Sequence, residues 1–361
     1  MLENLKELVA INSFENGERI IEYLKNKFSL FSEEILILKN KENNNKSLII
    51  GLNTKLKDVE PIVLSGHIDT VAPDFEKYNT NPFDLTIVDD KAYGLGSVDM
   101  KSFTAIILDS LEKIRQIDKP IVIALTTDEE TNLKCVENVI SKFKELKIRP
   151  KFTIVGEPTK SEINNQANGC YELLVEVFGL ACHSSIIKQG INAINITAKL
   201  ISFIEEEQKN FKNLTSNCGV VAGGDIVNRV PDYCKLKFDV RSTSSQQVKE
   251  FLKNILEIIK KLKKEYKTQI KIKKLLEIPP LENKNEELIN NIANSLNLKI
   301  EKFMGGCEAG YYQQLGGDAI ICGVGDMALA HKPNEFVNIK EYKKYDELLI
   351  KLIKKICEIY Y

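Results

Sequence analysis

The chain contains no tryptophan, four methionines and only three histidines, at 67, 183 and 331, among 361 residues. Arginine is nearly as scarce, with five copies at 19, 115, 149, 229 and 241, so almost all the basic character is lysine. An excess of one charge is missing too. Lys+Arg 50 against Asp+Glu 51 leaves a formal net charge of -1, which excludes a general attraction for nucleic-acid phosphates or anionic lipid. No apolar run approaches the ~20 residues of a membrane span. The eight cysteines, at 135, 170, 182, 218, 234, 307, 322 and 357, form no C-x-x-C pair and no disulfide-like cluster. They are expected as free, mostly buried thiols in a reducing compartment. The start, MLENLKELVAINSF, carries two acids in its first seven residues and no apolar core, so no secretory signal is expected and a cytoplasmic location is.

What is present describes an ordinary globular protein with a large core. Hydrophobic residues make up 43% and charged residues 28%, and at ~150 residues per domain the length predicts two or three domains. The spacing of apolar residues predicts helix over residues 1–29. After the polar tract KNKENNNK (39–46) come short continuous apolar runs: SLIIGL (47–52), PIVLSGH (61–67), IVIALTT (121–127), FTIVGE (152–157) and AIICGVG (319–325). These fit buried strands, and FTAIILDSLEKI (103–114) and CVENVISKFKEL (135–146) between them fit crossover helices, so a largely parallel α/β sheet is expected. The middle of the chain has another rhythm. Strand 171–179, helix 191–207, strands 218–223 and 235–241, helix 245–266 and strand 269–275 follow the β-α-β-β-α-β order of a ferredoxin-like unit. The expected organisation is a catalytic domain in two parts, 1–167 and 278–361, with a small α+β domain, 168–277, inserted between them.

In a parallel sheet, ligands gather outside the carboxyl ends of the strands. His67 and Asp69 sit at one such end, Glu129 and Glu130 at a second and Glu157 at a third. Asp99 lies in the Gly-rich loop YGLGSVDMK, and His331 follows the late strand by a short loop. Each has an ordinary reading alone: a hydrogen-bonded histidine, a solvated acidic run at 128–130, a strand terminator before Pro158. The G-x-G at 94–96 is a poor nucleotide signal, because no third glycine follows. Together the residues answer one chemical need. Two divalent metals ~3.5–4 Å apart can share a carboxylate, activate water and polarise a carbonyl. Two histidines and three carboxylates supply one bridge and two ligands per metal, and zinc accepts both donor types. A further carboxylate can then act as general base, and Glu129–Glu130 offers one of each role. Asp69 can accept a hydrogen bond from His67 and orient it.

The ordered motifs SGHIDTV (65–71), YGLGSVDMKS (93–102), TTDEET (126–131), VGEPT (155–159), CHSS (182–185), GGDIVNRVP (223–231), DVR (239–241) and AHKPNEF (330–336) resemble those of the M20 metallopeptidases over nearly the whole chain. GCEAGYY (306–312) is similar to the corresponding region of the acetylornithine deacetylase members, with Cys182 and Gly310 as departures. The resemblance implies that Asp99 bridges two metal ions, zinc or alternatively cobalt. His67 and Glu157 would complete one site, and Glu130 and His331 the other. It implies Glu129 as the base, with Asp69 orienting His67. The inserted domain would be a lid and homodimerisation domain, in which His183 binds the oxyanion in the partner subunit's site and Asn228 lies nearby. Arg241 would clamp the substrate α-carboxylate. Glu308 is a candidate partner for a cationic substrate side chain. The expected activity is metal-dependent hydrolysis of an N-acyl-L-amino acid, N2-acetyl-L-ornithine in arginine biosynthesis. Alternatives are succinyl-diaminopimelate desuccinylase, N-acetylcitrulline deacetylase, an M20 dipeptidase or carboxypeptidase, and, in another class, a non-catalytic metal-dependent binding protein. The partner expected is a small molecule, with neither nucleic acid nor membrane.

Overall fold

A computed structural model describes residues 2–14, 17–40, 45–283 and 285–361. Residues 41–44 of the polar tract, 15–16 of the N-terminal helical stretch, Met1 and 284 lie outside the described residues. The chain divides into two compact units, Met1–Ala167 with Asn283–Tyr361, and Asn168–Glu282. The second junction falls after 282 rather than 277. The strand Ile270–Ile278 ends before Pro279–Pro280, and Asn283 bonds back into the first unit through Asn165 and Ala319.

The first unit is built on a mixed sheet whose central strands are parallel, in the order Ile121–Thr126, Ile62–His67, Phe152–Val155, Asp318–Ile321. These four are nearly uninterrupted apolar runs, and all but Asp318 of their residues are buried, as expected where helices cover both faces. Lys46–Leu52 and Ile35–Lys39 extend one side in antiparallel sense. On the other side Ile163–Ala167 joins antiparallel and carries Ile300–Phe303 in parallel. The register sets His67 beside Thr126 and Ser65 beside Val155, so three strand ends open onto one rim. Phe103 and Tyr345, both fully buried, anchor the helices Lys101–Asp109 and Ile339–Tyr360 in the core.

Two expected helices are divided. Residues 1–29 form Glu3–Val9 and Glu18–Phe28. Residues 103–114 form Lys101–Asp109 and Leu111–Arg115, broken at Ser110 (φ −103°, ψ 4°), whose hydroxyl donates to Asp346. A small antiparallel sheet, Thr86–Val88, Lys91–Tyr93 and Phe336–Asn338, pairs Tyr93 with Phe336. It lays the loop that begins at Gly94 beside the segment that ends at Glu335.

The second unit has the order strand Gly169–Phe178, helix Ala193–Glu207, strands Leu214–Gly223 and Tyr233–Ser242, helix Ser245–Tyr266, strand Ile270–Ile278. Its antiparallel sheet runs in the spatial order second, third, first, fourth, the ferredoxin-like arrangement. Alternate residues Leu173, Val175 and Val177 face a core shared with Leu200, Ile204, Phe251 and Ile255 of the two helices. Among the described residues no helix is long and apolar enough to cross a membrane.

Candidate active site

At the rim of the first unit, Asp99 stands between two histidines. His67 Nε2 lies 2.9 Å from Asp99 Oδ1, and His331 Nε2 lies 3.3 Å from Asp99 Oδ2. Glu157 Oε1 is 4.0 Å from His67 Nε2, and Glu130 Oε2 is 2.9 Å from His331 Nε2. Two donor groups result, His67–Asp99–Glu157 and Asp99–Glu130–His331, each with its ligand atoms within 4.8 Å of one another. Donors ~2.0–2.1 Å from a tetrahedral zinc ion stand ~3.3 Å apart, and the four measured separations bracket that value. The nitrogen and oxygen donors, with one carboxylate common to both groups, fit two divalent ions.

Local structure explains these placements. Gly156 precedes Glu157, and a Cβ on it would fall 2.0 Å from the Phe103 ring, so the strand end packs on Phe103 only as glycine. His331 takes a left-handed φ of 59°, an unusual conformation for a non-glycine residue that functional sites tolerate. His67 Nδ1 faces Asp69, 3.2 Å from its carbonyl and 3.5 Å from Oδ1, which aims Nε2 at Asp99. The same Asp69 carboxylate accepts the N–H groups of Glu129 (3.3 Å) and Glu130 (3.1 Å). It thus ties the second strand end to the first.

The electrostatics are those of buried negative charge. Burial works to raise Asp99, but hydrogen bonds from His331 and His67 outweigh it and hold the carboxyl well below the usual range. Burial works against charge on His67. Its bonds to Asp69 and Asp99, with the Asp99 and Glu157 charges, nevertheless raise it well above an ordinary imidazole. Bonds to Asp99 and Glu130 push His331 up to about 10. Burial, then the Asp99 charge, pushes Glu157 up to about 8. Glu129 is also raised well above the carboxylate range, by burial and by Glu157, Glu130 and Asp99 against the opposing pull of His67. It belongs to neither donor group. Four carboxylates packed this closely in a desolvated site call for cations.

Other expected residues have different surroundings. Glu308 is 1% exposed, and its oxygens accept from Ser65 (2.7 Å) and Thr126. Its partners are therefore protein hydroxyls on two strands of the sheet. In that position it joins the two strands beside the donor groups. Asp128, the first acid of the run at 128–130, is structural. Its carboxylate accepts the Cys135 N–H at 3.0 Å, and its carbonyl accepts from Thr131, Asn132 and Leu133. Glu335 accepts backbone N–H groups of the Asp99 loop. Sequence reasoning missed these two, because an acid that holds a loop by its backbone looks like any of the 51 acids.

His183, Asn228 and Arg241 belong to the second unit. His183 and Asn228 are exposed and adjacent, joined by the Ser184 N–H to Asn228 carbonyl bond (3.0 Å) and the bridge between His183 and Arg229. Arg229 pairs with Asp225 and Asp232 and orders that loop. His183 Nδ1 faces Ser185, 3.2 Å from its N–H and 2.8 Å from its hydroxyl. Arg241 commits Nε–H to Asp239, at 2.9 Å and 3.0 Å from its two oxygens.

Comparison with known proteins is consistent across sequence and fold. The profile of peptidase family M20/M25/M40 matches residues 63–355. An acetylornithine deacetylase of Buchnera aphidicola subsp. Schizaphis graminum is 32% identical, covering 98% of this chain and 97% of the relative. A tripeptidase from Staphylococcus aureus has the same fold with a TM-score of 0.78 at 23% identity, covering 99% of this chain and 98% of the other. A dinuclear metal-binding peptidase of the M20 family from Bacillus subtilis superposes with a TM-score of 0.67 at 14% identity, over 94% and 92% of the two chains.

Proposed function

Since the chain belongs to peptidase family M20/M25/M40 and is a hydrolase, we propose that it cleaves the amide bond of an N-acyl-L-amino acid, and that its substrate is N2-acetyl-L-ornithine, yielding L-ornithine and acetate. The observation that supports this reading is the pair of donor groups that share Asp99, with Glu129 beside both and part of neither. His67, Asp99 and Glu157 would hold one zinc ion, and Asp99, Glu130 and His331 the other. Bound there, the ions would polarise the acyl carbonyl and lower the pKa of water.

The chain's own residues perform the remaining steps in this proposal. Glu129 removes a proton from the attacking water and delivers it to the departing α-amine, so that hydroxide adds to the acyl carbon and the C–N bond breaks with a proton on nitrogen. Asp69 keeps His67 and the 129–130 backbone in register. His183 offers Nε2–H to the oxyanion, a donor typically worth ~3–4 kcal/mol. Arg241 meets the α-carboxylate through its remaining Nη edge, a match that suits a planar fork better than an ammonium. Asn228 acts beside His183. The second unit serves as lid and dimerisation domain.

The test is release of free α-amine from N2-acetylornithine by protein stripped of metal and then restored with zinc or cobalt. Metal-dependent release supports the reading. Two ions bound without release, with turnover of succinyl-diaminopimelate, acetylcitrulline or dipeptides in a parallel panel, would move the substrate and keep the chemistry. Failure to bind metal would overturn both.

A further inference from the structure

The loop that delivers Asp99 is wrapped around a second carboxylate. Glu335 Oε1 accepts the N–H groups of Val98 (2.6 Å) and Asp99 (2.9 Å), and Oε2 accepts that of Gly96 (3.0 Å). The N–H of Gly94 donates to the Glu335 carbonyl at 3.1 Å. Four amides of one six-residue loop are therefore directed at one residue, an anion-holding nest. Gly96, at φ 79°, provides the left-handed turn that brings its amide round to the far oxygen. Glu335 is 2% exposed.

The position of Glu335 in the fold adds to this. It lies four residues after His331 and immediately before the strand Phe336–Asn338, which pairs with Lys91–Tyr93 just ahead of the loop. One carboxylate thus joins the segment that carries His331 to the loop that carries Asp99. Asp99 would have to serve both donor groups at once, and ligand distances tolerate only about ±0.2 Å. The neighbouring Lys101, fully buried, donates to the Ile11 carbonyl at 2.9 Å, which ties the residue after the loop to the N-terminal segment.

We propose that Glu335 is a positioning residue for the shared ligand Asp99. Its carboxylate holds the 94–99 loop by its backbone so that Asp99 addresses both donor groups at once. The inference rests on the two-ion reading above.

Glu335→Gln tests it, because glutamine keeps the shape but offers one acceptor oxygen. Whichever way the amide turns, its NH2 faces either the Gly96 N–H or the Val98 and Asp99 pair. Wild-type protein and E335Q are titrated with zinc and with cobalt, the dicobalt forms are compared for spin coupling by EPR, and amide hydrogen exchange is followed through residues 94–99. The expected result is at least tenfold weaker ion binding, loss of coupling, at least tenfold faster exchange in that loop, and a lower kcat with KM within twofold. Exchange in the strand Gly169–Phe178 stays unchanged. Wild-type affinity together with wild-type loop exchange in E335Q would overturn the proposal. If E335Q fails to fold, the wild-type exchange decides alone: slow Gly96, Val98 and Asp99 amides support the cradle, and amides as fast as an exposed loop remove it. Fewer than two ions on wild-type protein would count against the two-ion reading, and the exchange data would still report on the cradle.

Discussion

Glu129 and Glu130 are neighbours in sequence, yet their surroundings give them different work. Glu130 reaches His331 at 2.9 Å, whereas Glu129 joins neither donor group and meets Glu157, Glu130 and Asp99 only as charges. Replacing Glu129 by Gln is expected to lower kcat by about 10²–10⁴-fold, the usual contribution of a general base, while two ions per chain remain bound. Turnover near wild type in that variant would take Glu129 out of the reaction. Proton linkage gives a second residue-scale prediction. With His331 raised to about 10 and Glu157 to about 8, these ligands hold protons at neutral pH before metal binds. Ligation needs them deprotonated, so binding releases protons and apparent affinity rises with pH up to and beyond 8. Calorimetry in buffers of different ionisation enthalpy should count more than one proton released, and a count of zero would contradict the ligand set. At this scale the sequence was informative where residue types are rare. Three histidines at strand and loop ends are conspicuous, but Glu335 is one acid among 51, and only its burial and hydrogen bonds distinguish it.

Among the elements, the C-terminal helix Ile339–Tyr360 shows what local pattern can specify. Its apolar positions Tyr342, Tyr345, Leu349, Ile353 and Ile356 recur at helical spacing and are buried. Asn338 caps it by accepting the N–H groups of Lys340 (2.9 Å) and Glu341 (3.3 Å). Asn338→Ala is therefore expected to cost ~1 kcal/mol in urea unfolding with metal content unchanged. No measurable loss would mean that the buried face alone holds the helix start. Periodicity was less informative inside Lys101–Arg115, where the apolar pattern continues through Ser110 but the backbone does not. At the break the Ser110 hydroxyl donates to Asp346, on a helix more than two hundred residues away. Strand direction was likewise not readable: Lys46–Leu52 is as apolar as its neighbours and runs antiparallel to Ile121–Thr126, because a run buried on both faces carries no mark of its sense.

On the scale of the whole molecule, the two edges of the second unit's sheet differ. Ile270–Ile278 bears exposed Lys271, Lys273 and Lys274, the charged edge that discourages pairing. Leu214–Gly223 carries no charged residue and exposes Val220 (46%) and Val221 (57%). Pairing of two chains through that edge is expected to give a solution mass of two chains by light scattering, and Val221→Lys to shift it toward one. A single-chain mass for the unaltered protein would refute the homodimer. By itself the sequence determined the α/β and ferredoxin-like architecture, the helix periods and the residues at strand ends, because hydrophobic period and residue chemistry are local properties that survive in one dimension. Only the tertiary structure decided that Asp99 lies between His67 and His331, that Glu308 is held by Ser65 and Thr126, and that Glu335 closes the Asp99 loop. Those relations join residues tens to hundreds of positions apart through packing and hydrogen bonds, and a carboxylate's partners, burial and protonation exist only once the chain has brought them together.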